Sequence, residues 1–235
     1  MEINEILKQL STLSNERTKK HYMSNGAKEP VFGCTISSMK PLFKQLKFNQ
    51  KLAEQLYATG NYDAMYLAGM IAEPKKMTMQ DFDRWIDQAY FYMISDFIVS
   101  VTLAEADIGE RVAGKWIESE VELTASAGWK TYEWMLGTRK NETFDQTRLK
   151  ELIEIIPVRF DSQPGRVQSS MIDFLQAVSI SYPPLHEEAI KVAQILGRRE
   201  IRLSESKVWV VDPLKDILSE VNKGRLGFKR KHVRC

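Results

Sequence analysis

The sequence predicts an all-α protein built from stacked antiparallel helix pairs. Three observations carry this expectation. Apolar residues recur at helical spacing along nearly the whole chain, strand signals are almost absent, and small residues collect in two central segments. Residues of that size sit where one helix must approach others closely.

Taken in order, Ile3, Ile6, Leu7 and Leu10 mark a first helix, and a second covers about 15–25. The turn-rich NGAKEPVFG follows, with Gly26 and Gly33 expected to take positive φ, as is Gly60 further on. Ser37-Ser38 opens a helix carrying Met39, Leu42, Phe43 and Leu46, with Pro41 expected in its first turn. Leu52, Leu56 and Tyr57 mark the next, closed by Gly60-Asn61. The small-residue segment YDAMYLAGMIAE (62–73) stops before Pro74. Thr78 with Asp81 reads as a capping box for a helix bearing Phe82, Trp85, Ile86 and Ala89. Further helices fit 95–106, 109–118, 119–136, 145–155, 166–181, 186–196 and 213–222, and the Pro183-Pro184 pair closes one of them. The only strand candidate is KVWVV (207–211).

Helix pairs with short joints, repeating at roughly 35–45 residues, are the mark of a HEAT-like solenoid with a concave face for extended partners. A non-repeating helical bundle is the alternative that periodicity leaves open. No Gly-, Ser- or Pro-rich linker divides the 235 residues, so one domain over 1–222 and a basic tail over 223–235 are expected. The last fourteen residues, NKGRLGFKRKHVRC, hold six cations and no acid, while the whole chain is only +2. The body is therefore net acidic, and this separation of sign suggests a polyanion partner. The N-terminus lacks an apolar signal core and no apolar run approaches the roughly 18 residues of a membrane span. Two distant cysteines offer no disulfide framework, so a cytoplasmic protein is expected, with no membrane association.

Several chemistries lack their signatures. Three histidines and two cysteines show no metal-ligand spacing, and neither a GxxxxGK[ST] loop nor a GxGxxG after a strand is present. No metal and no cofactor is expected. The residues alone lead to an all-α protein with an affinity for polyanions.

The block HYMSNGAKEPVFGCTISSMKPLFKQL resembles the opening of the DNA alkylation repair family, the HEAT-like alkylpurine DNA glycosylases. The resemblance continues through GNYDAMYLAGMIAEPKKMT and DRWIDQAYFYMISDFIV and ends with GRLGFKRKHVRC, so it covers nearly the whole chain. It implies a helical solenoid that cradles duplex DNA and removes N3- or N7-alkylated purines while the lesion stays stacked, unlike enzymes that flip their base. The chemistry needs a carboxylate. The alkylated purine is already cationic, and bond breaking moves positive charge onto the sugar, where an aimed carboxylate stabilises it. Aromatic faces beside the site favour the same cation.

The resemblance places the family aspartate at Asp96 and one of its two tryptophans at Tyr92, which keeps a π face but is smaller. The second tryptophan falls near Asp173 in VQSSMIDFLQAV, and a backbone-gripping arginine falls near Ser126 in LTASAGW. Two of the key groups are thus missing and one is altered, which implies a DNA-binding member with weak or lost base excision. An active glycosylase using Asp96 and a non-enzymatic protein-interaction scaffold are the alternatives. For Asp96 itself three roles stay open: a cap or paired structural acid, a weakened catalytic group, or an inherited acid in an idle groove.

DNA contact is expected to be sequence-independent, through phosphates, by a monomer. Its expected residues are Tyr22, which lies in the family's HYM contact segment, and the tail cations Lys223, Arg225, Lys229, Arg230, Lys231 and Arg234. Trp85, Trp116, Trp129 and Trp134 are read as core residues, and Trp209 as a cover for the solenoid end.

Overall fold

A computed structural model describes residues 1–234. Apart from one hairpin, regular structure among these residues is helical. The residues group into two compact units, Met1–Val112 with Arg234, and Ala113–Val233, and the division falls within one helix.

The first unit holds α1 (Ile3–Thr12), α2 (Glu16–Ser24), α3 (Ile36–Leu46), α4 (Gln50–Tyr57), α5 (Tyr62–Ile71) and α6 (Met79–Asp87). Their starts are written locally. Asn15, Thr35, Asn49 and Asn61 each accept from a first-turn backbone N–H, and Thr78 and Asp81 form the expected capping box. Helix α3 begins at Ile36, so Pro41 lies beyond the first turn, contrary to expectation. The carbonyl left without its usual donor belongs to Ser37, which is exposed and can take water instead. Gly33 has φ +82, and a Cβ there would stand 2.5 Å from the Lys19 nitrogen, so the turn needs glycine on both counts.

The run from Tyr92 to Ala104 is not a plain α-helix. It opens as α7 (Tyr92–Ile94), widens to a π-helical turn over Ser95–Val99, and resumes as α8 (Ser100–Ala104). The Ser100 amide and hydroxyl both donate to the Ser95 carbonyl, which holds the widened turn. Helix α5 packs on this turn so closely that a Cβ at Gly69 would lie 2.8 Å from Ile98 Cγ2. The small residues of YDAMYLAGMIAE thus serve the role the sequence suggested.

The division lies within α9 (Gly109–Trp116). The second unit continues with α10 (Glu122–Leu136), α11 (Gln146–Arg159), α12 (Gly165–Ser181), α13 (His186–Leu196), the antiparallel hairpin β1 (Arg199–Ser204) and β2 (Lys207–Val211), and α14 (Pro213–Asn222). Helix α10 packs on α12, α11 on α13, and α12 and α13 pack on each other and on α14, the arrangement of stacked helix pairs. Gly128 repeats the role of Gly69, since a Cβ there would be 2.7 Å from the Ile117 nitrogen. Trp85, Trp116 and Trp129 are buried as expected, whereas Trp134 and Trp209 are only partly covered. Among the described residues no helix is long and apolar enough to cross a membrane, and no group of His, Cys, Asp and Glu is arranged to hold a metal ion.

Candidate functional site

The π-helical turn buries Asp96, which is 4% exposed. A carboxylate there needs partners. Ser95, one residue earlier and fully buried, donates its hydroxyl to Asp96 Oδ1 at 2.7 Å. In a π turn the backbone bonds run from residue i to i+5, and such turns recur at functional sites. Tyr92 stands four residues before Asp96 and is half-buried. Its hydroxyl donates to Asn25 Oδ1 at 3.0 Å, and its ring meets those of Phe91 and Phe97 edge-on.

Tyr22 belongs to a neighbouring cradle built by the opening block. Asp63, 1% exposed, accepts the backbone N–H groups of Phe32, Gly33 and Cys34 at 2.5, 3.1 and 2.7 Å. Above it the Tyr22 hydroxyl donates to the Cys34 carbonyl at 2.9 Å, and the ring packs edge-on against Tyr62. Burial, with the nearby Asp63 charge, pushes the Tyr22 phenol up to about 12. Its polar end is thus committed inside the first unit.

In the second unit, Ser126 and Asp173 are both engaged. Ser126 Oγ shares a hydrogen bond with Ser170 Oγ at 2.6 Å, joining α10 to α12. Asp173 Oδ2 accepts from Lys130 Nζ at 2.9 Å. Lys130 is 6% exposed and also pairs with Glu133, so one buried ammonium is held between two carboxylates. Burial raises the Glu133 carboxyl above its ordinary range, against the pull of Lys130. Sequence reasoning missed Lys130 and Glu133. The available signal was WKTYEW, two charges three residues apart inside an apolar helix.

The tail cations divide sharply. Lys223 and Arg225 both pair with Glu220. Lys229 donates to the Leu136 carbonyl at 2.7 Å, and burial lowers its amine to about 8. Arg234 binds Glu105 and the carbonyls of Gly69, Met70 and Ala72 at the end of α5, with its guanidinium over the Phe48 ring. Arg230 lies 5.0 Å over the Trp134 ring and is exposed, as is Lys231, and no ion pair of either is seen among the described residues. The structure therefore brings together Asp96 with Tyr92's turn and Arg230 with the Lys130 cluster, and it holds most other tail cations in internal contacts.

Comparison with known proteins follows the same lines. A family model described as DNA alkylation repair enzyme matches residues 6–204. Uncharacterised proteins of Listeria innocua serovar 6a and Listeria monocytogenes serovar 1/2a are each 27% identical over 221 residues, covering 92% of this chain and 95% of their own. A solved structure described as "a new family of proteins related to the HEAT-like repeat DNA glycosylases with affinity for branched DNA structures" superposes with a TM-score of 0.96. It is 50% identical and covers 100% of both chains.

Proposed function

Because the chain belongs to the DNA alkylation repair enzyme family, we propose that it binds branched DNA through sequence-independent phosphate contacts and excises alkylated purines weakly or not at all. The binding half rests on one observation, the full-length likeness to a solved protein described by affinity for branched DNA. The exposed cations Arg230 and Lys231 are suited to phosphate.

The excision half is supported by what occupies the sites of the missing groups. The position near the second tryptophan holds Asp173, tied to a buried lysine, and Ser126, near the arginine, is tied to Ser170. An aromatic face is worth roughly 0.5–2 kcal/mol to a cationic transition state. A charge-assisted anchor on the strand is worth about 1.5–3 kcal/mol. Losing both slows excision by very roughly 30- to several-thousand-fold at 1.36 kcal/mol per decade. One feature favours the alternative, an active glycosylase: Asp96 is retained, in a π turn of the kind found at functional sites.

The test is equilibrium binding by fluorescence anisotropy to a four-way junction and to a linear duplex of the same sequence at matched salt. The junction is expected to bind about tenfold tighter or more. Equal affinities remove the branch preference, and no binding to either removes DNA as the partner.

A further inference from the structure

A cavity of about 330 Å³ opens in the second unit beside the Lys130 cluster, lined by Glu133, Asp173, Gln176, Arg225, Phe228 and Arg230 among others. We propose that this cavity receives one unpaired guanine nucleotide at a DNA branch point. The inference rests on the branched-DNA reading and names the element of the branch that this chain grips.

The cavity's roof is pinned. Gly227 N–H donates to the Ile180 carbonyl near the end of α12, and Arg230 N–H donates to the Gly137 carbonyl at the end of α10, each at 2.7 Å. Between these anchors Phe228 is 55% exposed, an aromatic face held over an opening with its backbone fixed. An exposed aromatic on a pinned loop is a stacking platform for a base. Its volume lies at the small end of the roughly 300–1,000 Å³ of ligand sites, which suits one base and excludes a duplex.

The charges select the ligand. A bare phosphate is disfavoured, because Glu133, Asp173 and Glu220 all lie in the wall. A purely cationic ligand meets Arg230, and Lys130 already sits between Glu133 and Asp173. The arrangement calls for a ligand that is anionic at one end and rich in hydrogen-bond donors at the other. A guanine nucleotide has that form. Its phosphate meets the exposed guanidinium of Arg230, stacked on Trp134. Its Watson–Crick edge carries adjacent N–H donors, which suit a carboxylate. Asp173 binds Lys130 through Oδ2, and its side chain is 30% exposed and lines the cavity, which puts its carboxylate within reach of a ligand there. Within a duplex this edge is already paired and both faces are stacked. A branch point is where such a base stands free.

The experiment measures anisotropy on the full chain with three three-way junctions of one sequence. One is fully paired, one carries a single unpaired dG at the branch, and one carries an abasic nucleotide at that place. Unpaired dG is expected to bind about tenfold tighter than the abasic junction, and unpaired dA or dT no more than twofold tighter. Phe228→Ala, at an exposed position, and Asp173→Asn should each abolish the dG increment, with the thermal midpoint of each variant measured beside it. Affinity for the fully paired junction should stay within twofold in both variants. If the paired junction binds but dG gives no increment, or if both variants weaken all three junctions equally, the cavity proposal falls and the branched-DNA reading stands. If no junction binds, both fall.

Discussion

Lys130 and Asp173 stand 43 residues apart and join α10 to α12 through a 2.9 Å ion pair, with Glu133 on the other side of the same ammonium. The family resemblance implies a tryptophan near Asp173, where this chain carries a carboxylate tied to a lysine instead.

Removing the lysine leaves two carboxylates facing each other in a largely buried place. Lys130→Ala is expected to destabilise the protein by about 3–5 kcal/mol. Asp173→Ala should cost less, about 1–2 kcal/mol, because Asp173 is partly exposed and Glu133 still balances Lys130. Urea midpoints at constant m-value check this ordering, and an equal or reversed pair of losses contradicts the placement of Lys130.

The Asp63 cradle makes a second stability prediction. Asp63→Ala deprives three backbone donors of their acceptor, two of them in buried residues, and should cost about 3 kcal/mol or more. Thermal unfolding reads it directly. A loss under about 1 kcal/mol would mean that the 32–34 turn is held by something else.

The tail gives a test by salt. Arg230→Ala and Lys231→Ala should each make the slope of log K against log salt shallower by about 1, uniformly across DNA sequences. Arg234→Ala should leave the slope unchanged, because its guanidinium is spent on Glu105 and three carbonyls, but should destabilise the fold by about 1–3 kcal/mol. A slope change at Arg234 with no loss of stability reverses this assignment.

Lys229 predicts a pH dependence with a definite sign. Burial lowers its amine to about 8 in the fold, against 10.5 when free. Below about 8 both states hold the proton, and the fold bears the cost of a partly buried charge. Between about 8 and 10.5 the folded amine is neutral while the unfolded one keeps its proton, so stability rises with pH. Lys229→Met removes this term. The stability of the variant relative to the parent protein should therefore be greatest below pH 8 and decline across that window, measured by denaturant titration at each pH. A constant difference contradicts the burial of Lys229.

Much of this was legible in the sequence because it is local. The Thr78–Asp81 box, the positive φ of Gly33, the close approaches at Gly69 and Gly128, and the Ser95 partner of Asp96 all lie within a few residues or follow from side-chain size. Pairings set by helix stacking were not legible. Asn25 with Tyr92, Lys130 with Asp173 and Glu105 with Arg234 are 67, 43 and 129 residues apart, and the period of one helix says nothing about its partner. The π turn was hidden because widening a helix by one residue leaves its composition apolar. Strand β1 was hidden because in REIRLS only Ile201 is buried, too weak an alternation to register. The division into two units had no linker signature because it falls inside α9.

Binding without fast excision can be checked by single-turnover release of 7-methylguanine from duplex DNA. The same preparation must first be shown to bind a four-way junction, and Asp96→Asn is run beside it. Release is expected at or near the spontaneous rate, with wild type and Asp96→Asn indistinguishable. Rapid release by the wild type that Asp96→Asn abolishes would contradict it, and would make the buried carboxylate of the π turn a working catalytic group.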